Sequence, residues 1–347
     1  MDFGRIKIYE SLEQKVGNTP LYEIKKIPIP NRNRIFAKEE FLNPTASNFD
    51  RVYPYLFRVA EEKGFIVPGI TPVIEASTGN AGASFAWCAK KLRYTDATVI
   101  THKDTPKARV EQIKSYGAKI IFSPAGELAA GYVHKLDEIL AEDKKQKGGK
   151  IGENPKRMYA VTKIGPEGKV PFKQYVEEAI KQLRGTVLNT HFDYFICAVG
   201  SGTMISGVGE AFKKLGKHTK IVAIETAEVP AVSSLKKRKM LPTEQYYKHY
   251  TASDFPFGMG AAGLPQQKLD INFSVIDDIQ GVRAEEWKNA LDALHQKEDK
   301  QVGRTSGAEL AVALRMAKDV FNKIFLITFH DASWKYENSY QPERFKV

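Results

Sequence analysis

Short apolar runs alternate with amphipathic stretches along most of this chain. Runs at 35–38, 72–76, 97–101 and 117–122 are dominated by apolar and β-branched side chains and are bounded by polar or glycine-bearing turns, so each reads as a strand. Between them the period changes. Tyr53, Leu56, Phe57 and Ala60 fall on one stripe at helical spacing, which predicts a helix over 52–63. Stretches 82–91, 107–116 and 131–142 also read as helices. The second half repeats the habit, with helices predicted at 172–183, 205–215, 284–295 and 306–319 and strands at 194–199, 220–224 and 323–328. Repeated strand–helix units imply parallel-rich sheets covered by helices on both faces. Ligands of such sheets sit beyond the carboxyl ends of the strands. The polar stretch 143–154, with Gly148, Gly149 and Gly152, is the expected crossing between two domains, and no internal repeat or low-complexity segment interrupts the pattern.

Composition changes this picture little. The chain has 347 residues, 42% hydrophobic and 27% charged, enough to fill one large or two ordinary cores. No run approaches the ~18 apolar residues of a membrane span. The first residues lack the apolar core of a secretory signal. The two cysteines, Cys88 and Cys197, lie in separate apolar segments without metal or redox spacing, so they read as buried free thiols and the expected location is cytoplasmic. The net charge is +11, but its densest clusters, at 144–150 and 236–239, read as a solvated loop and a helix end. No aromatic residues interleave with them as in a single-strand binder, so nucleic acid is not an expected partner.

Three glycine-bearing turns carry the candidate chemistry. Ser77-Thr78-Gly79-Asn80-Ala81-Gly82 lies between a strand and a helix, where backbone N–H groups make an anion site and the hydroxyls and Asn80 add donors. Gly200-Ser201-Gly202-Thr203-Met204 follows a strand and opens a helix, the context of a phosphate cradle. Gly303-Arg304-Thr305-Ser306 begins an apolar helix, and Thr305 and Ser306 form a candidate N-cap pair.

Together with a fourth motif these turns resemble the cysteine synthase/cystathionine β-synthase family of pyridoxal phosphate (PLP) enzymes. Asn43-Pro44-Thr45-Ala46-Ser47-Asn48-Phe49-Asp50-Arg51 resembles the family's N-P-S/T-x-S-x-K-x-R signature, in which the Lys holds PLP as a Schiff base. Similar matches are Val16-Gly17-Asn18-Thr19-Pro20-Leu21, Gly165-Pro166-Glu167 and the loop Gly258–Pro265, so the likeness runs from about Val16 to Ala317. The resemblance implies the α/β fold-type II architecture, tryptophan synthase β-like: a smaller inserted domain at 41–143 and a larger one from 1–40 plus 144–347, with the cofactor cleft between them in a homodimer. It implies that Ser77, Thr78, Gly79, Asn80 and Ala81 grip a substrate carboxylate. It further implies that Asn80 meets the cofactor's ring hydroxyl, that Gly200, Ser201, Gly202, Thr203 and Met204 surround its phosphate, and that Thr305 meets the pyridine nitrogen.

The departures decide the functional expectation. Phe49 stands at the Schiff-base position and has no amine to form an imine or shuttle a proton. Thr203 replaces a Gly, which would strain the loop if that position needed positive φ. Met204 replaces a Thr, and Ile151 stands where a Gln is common. Three functions compete. The favoured one is a catalytically impaired pseudoenzyme that binds an amino acid or small carboxylate and holds PLP at most noncovalently. The alternative is an active PLP-dependent lyase or transferase, performing β-elimination or β-replacement through a preformed external aldimine or a non-standard lysine such as Lys38. The third, a nucleotide-binding oxidoreductase, rests on Gly200-x-Gly202 and Glu225 and lacks the third glycine, which would fall at Ile205.

Overall fold

The computed structural model describes residues 12, 14–77, 79–123, 128–185, 191–216, 218–237 and 269–337. Among these, the strands are β1 (Leu21–Glu23), β2 (Arg34–Lys38), β3 (Val73–Ala76), β4 (Ala97–Thr101), β5 (Lys119–Phe122), β6 (Tyr159–Ala160), β7 (Tyr194–Ala198), β8 (Lys220–Thr226), β9 (Asp278–Val282) and β10 (Ile324–Thr328). The principal helices are α1 (Tyr53–Glu62), α2 (Asn80–Lys91), α3 (Lys107–Ser115), α4 (Leu128–Lys147), α5 (Phe172–Arg184), α6 (Thr203–Lys214), α7 (Ala231–Lys236), α8 (Ala284–Lys297) and α9 (Arg304–Met316). The chain divides into two compact units. One comprises Met1–Gly17, Asn43–Lys163 and Trp334–Val347, and the other Asn18–Leu42 and Ile164–Ser333.

The first unit holds a four-stranded parallel sheet in the order β5-β4-β3-β6. Every residue of β3 and β4 is buried, as strands covered on both faces require. β5 is an edge and leaves Lys119 and Phe122 exposed. The stripe read from the sequence buries Tyr53, Leu56, Phe57 and Ala60 of α1. Tyr53 and Phe57 pack on Phe85 of α2, with ring centroids 6.1 and 5.7 Å apart.

The second unit holds a six-stranded sheet, β1-β2-β10-β7-β8-β9, in which only the β1–β2 pair is antiparallel. Consecutive residues of β7 show its two covered faces. Phe195 packs on Tyr175 of α5 and Phe212 of α6, with centroids 6.2 Å away in each case. Ile196 points the other way, into a core of Ile35, Val222, Leu310, Phe325 and Ile327 that includes α9. The parallel α/β architecture expected from the pattern is therefore present.

Several local expectations shift. α4 runs through Lys147, so Lys144, Lys145 and Lys147 form a helix's last turn and not a loop, where cations complement the carbonyl end. Asp143, the expected domain boundary, lies inside that helix. It accepts bonds from Arg157 Nε (3.2 Å) and the Met158 amide (2.9 Å), and it pairs with Lys147 at 2.6 Å. The unit built on Asn43 consequently extends to Lys163. Lys236 ends α7, while Arg238 and Lys239 lie outside the described residues. Cys88 and Cys197 are buried free thiols. Among the described residues no helix is long and apolar enough to cross a membrane.

Candidate functional site

In the first unit, the signature loop is held by its own polar residues. Ser47 accepts the Phe49 amide at 3.2 Å and so caps the short 3₁₀ turn Asn48–Arg51. Asp50 is fully buried. It accepts the Thr45 amide (2.6 Å), the Thr45 hydroxyl (2.5 Å) and the Ser84 hydroxyl from α2. Burial pushes the Asp50 carboxyl up, and these bonds with the nearby Lys335 charge only partly oppose it. Gln112 of α3 donates to the Thr45 carbonyl (3.1 Å) and accepts from the buried Lys335 ammonium (3.0 Å). Asn43 accepts the Gly17 amide at 2.8 Å. The matching residues around position 49 thus serve the loop's architecture. They hold Phe49 half-buried, and the Lys163 ammonium stands 5.4 Å from the centroid of its ring.

The Ser77 loop leaves the carboxyl end of β3. The Ser77 amide donates to the Ile100 carbonyl at 2.9 Å, and the Ser77 hydroxyl oxygen accepts the Gly79 and Gly82 amides at 3.2 and 3.0 Å. Gly79 has φ 131°, and a Cβ there would collide with the Cδ of Arg109. Arg109 is buried, donates from Nε to the Lys335 carbonyl (3.2 Å) and lies 4.4 Å from the Tyr336 ring centroid. Asn80 opens α2 half-buried, with Ala81 buried behind it. Thr78 lies outside the described residues.

In the second unit, Gly200-Ser201-Gly202 joins β7 to α6, whose N-terminus therefore opens at the carboxyl edge of the sheet. The left-handed residue is Gly202 (φ 90°), and Thr203 is the first helical residue. The strain expected at Thr203 does not arise, because the position needing positive φ is still a glycine. Thr203 is buried, with its hydroxyl 3.0 Å from that of Ser201, and Met204 follows it in the first turn. Asp270 lies against this turn: its amide donates to the Ser201 carbonyl (2.7 Å), and its carboxylate pairs with Lys169 at 2.6 Å. Thr305 is buried in the first turn of α9. The cap of that helix is Gly303, not a Thr305–Ser306 pair, and the Ser306 hydroxyl instead accepts the His330 amide at 3.2 Å.

Two candidates fall away. Lys38 is fully buried and donates to the Thr19 carbonyl, Glu178 (3.1 Å) and Gln182 (3.2 Å), so it is a structural ion pair and no substitute imine lysine. Glu225 accepts the Val232 and Ser233 amides at the start of α7, at 2.6 and 3.1 Å, and the Ser233 hydroxyl. That occupies the carboxylate a dinucleotide ribose would need. Ile151 is partly exposed, and the Gly258–Pro265 loop lies outside the described residues.

Sequence reasoning missed three arrangements: Lys163 at Phe49, the Lys169–Asp270 pair beside the Gly202 turn, and a buried pair of His330 with Glu309 at 2.6 Å. Glu309 also accepts the Ala198 and Thr328 amides. The only sequence signal was proximity: Lys163 stands two residues before the matched Gly165-Pro166-Glu167, and Glu309 follows Thr305 by one turn.

A parallel-rich α/β protein with glycine turns at the carboxyl edges of its sheets is the class this architecture defines. Residues 12–329 match the family described as pyridoxal-phosphate dependent enzyme, and the chain belongs to that family. It is 31% identical over 319 residues to cystathionine beta-synthase of Apis mellifera, covering 90% of this chain and 57% of that protein. It is 29% identical over 331 residues to cysteine synthase B of Campylobacter jejuni, covering 95% of this chain and 98% of the relative. The crystal structure of a hydrogen sulfide-producing enzyme from Fusobacterium nucleatum shares the fold, with TM-score 0.77 at 23% identity over 94% of this chain and 98% of that one.

The donor chemistry can be tested against the family's cofactor. A helix N-terminus behind a left-handed glycine suits a phosphate, and a buried threonine hydroxyl suits a pyridine nitrogen. These residues fit the group. What position 49 does not supply is the amine that would bond its aldehyde.

Proposed function

We propose that this chain is a member of the cysteine synthase-like family impaired in ordinary β-replacement and β-elimination, which binds an amino acid or small carboxylate and has no covalent hold on PLP at position 49. The observation that carries this reading is Phe49, held by an intact signature loop at a position with no amine.

Under this reading Ser77, Thr78, Gly79, Asn80 and Ala81 bind the ligand's carboxylate. The Ser77 oxygen is already engaged as an acceptor, which leaves its hydroxyl hydrogen for an incoming oxygen. The positive end of α2 adds to that attraction. Gly200 to Met204 would hold the cofactor's phosphate through backbone amides. Met204 contributes no hydroxyl, so Ser201 and Thr203 are the side-chain donors there. Thr305 would meet the ring nitrogen, and a neutral hydroxyl at that place leaves the nitrogen unprotonated. When bound, PLP supplies an electron sink that acidifies the Cα–H of an amino acid. Phe49 can neither take that proton nor return it, and loss of a positioned base lowers such rates by about 10²–10⁴. The family's habits make a cytoplasmic homodimer part of the same proposal.

The test is cysteine formation from O-acetylserine and sulfide by the purified protein with added PLP. The expected rate does not exceed that of PLP alone; a rate well above it overturns the reading. Thermal stabilisation by amino acids without turnover is the accompanying expectation.

A further inference from the structure

We propose that Lys163 takes the place of the missing signature lysine as the amine that bonds the aldehyde of PLP. This rests on the reading that the fold still takes that cofactor, and goes beyond it by naming where the covalent link forms.

The placement comes from one unit of the chain. β6 runs parallel to β3, and the Val161 amide donates to the Ile74 carbonyl just beyond it, at 3.1 Å. Lys163 therefore emerges at the sheet edge from which the Ser77 loop also departs, the edge at which parallel sheets receive ligands. Its side chain does not run off into solvent. Lys163 is half-buried, and its ammonium stands 5.4 Å from the Phe49 ring centroid, within the range at which the ring's negative face attracts a cation. An amine carried by Lys163 consequently ends beside the side chain that replaces the family's lysine. Phe49 becomes a positioning residue in this arrangement.

Three other buried or half-buried lysines meet other groups. Lys38 pairs with Glu178, Lys335 donates to Gln112, and Lys169 pairs with Asp270. Lys163 has its ammonium at the ring of Phe49.

The step is an ordinary condensation. The ammonium gives a proton to solvent, the neutral Nζ adds to the aldehyde carbon, the C=O bond is replaced by C=N, and the oxygen leaves as water. No oxidant or reductant enters. Because this amine comes from a different backbone position than the family's, it can hold the cofactor without being aimed at the Cα proton, so the impairment proposed above stands beside it.

The experiment uses the full chain with one equivalent of PLP. After borohydride reduction of any C=N bond, peptide mass spectrometry locates the pyridoxyl group. The expected result is one group per chain on the peptide containing Lys163. It should be lost in Lys163→Arg, which keeps a cation over the Phe49 ring but cannot form the imine. In Phe49→Lys the label should move to residue 49, with labelling of Lys163 falling as it does so. Label on another lysine, label that persists in Lys163→Arg, or no label overturns the proposal. The wild-type peptide map needs no variant, so a variant that fails to fold leaves the test standing. With no label, equilibrium dialysis separates the two readings. PLP retained noncovalently removes only the Lys163 link, whereas PLP not retained removes the cofactor reading as well.

Discussion

Phe49 and Lys38 show how differently two residues can depart from what their neighbours suggest. Phe49 breaks a motif whose loop is held by structural bonds: Asp50 accepts from Thr45 and from Ser84 of α2, Ser47 accepts the Phe49 amide, and none of these bonds needs the lysine. The loop can therefore persist after its chemical purpose has changed. Lys38 is the reverse case, an amine in the right stretch of sequence with no chemistry to offer. Its ammonium is enclosed with Glu178, and removing one partner of a buried pair destabilises by about 3–5 kcal/mol. Lys38→Met is expected to lose stability on that order in urea denaturation and to leave any PLP adduct unchanged. The anomaly at position 49 was legible because a motif fixes what should stand there. The occupation of Lys38 was not, because Glu178 and Gln182 reach it from a helix far along the chain.

Among the elements, strands and helix faces were the most legible. β2, β4 and β10 follow their apolar runs, and α1 buries the stripe its spacing predicted. Termini were less so. α9 is capped by Gly303 although Thr305 and Ser306 are the better capping types, because the Ser306 hydroxyl is engaged with the His330 amide after β10. The turn before α6 gives the sharpest prediction at this scale. Gly202 has φ 90°, and a Cβ there would collide with Ile271 and lie 3.0 Å from the Asp270 carbonyl carbon. Gly202→Ala is expected to destabilise by about 1–3 kcal/mol from backbone strain and displacement of the Asp270 segment. Retained PLP, measured by dialysis, should fall with it. The identity of the left-handed residue could not be read from two adjacent departures from a motif, since φ follows from how the chain enters the helix.

At the scale of the whole molecule, distant segments are tied by buried carboxylates. Glu298, just past α8, accepts the Tyr22 hydroxyl (2.7 Å) and the Lys25, Lys26 and Ile27 amides (3.1, 2.6 and 2.9 Å). Burial raises its pKa, but the Tyr22 hydroxyl and the three amides outweigh that and hold the carboxyl below its usual range. A carboxylate depressed on folding contributes stability that is present above its unfolded value, about 4.3, and lost as pH falls through the lower folded value. Glu298→Gln is expected to lose about 1–3 kcal/mol at pH 7 in urea denaturation. It should also show a smaller further loss than the parent protein between pH 5 and pH 3. The sequence by itself determined the parallel α/β architecture, the family and the absence of an amine at position 49, because apolar periodicity and residue identity at a motif are local properties of the chain. Only the tertiary structure decided which polar groups already had partners, where the left-handed glycine fell and that Lys163 stands against Phe49. Those depend on which side chains folding brings together, and separation along the chain carries almost no information about that.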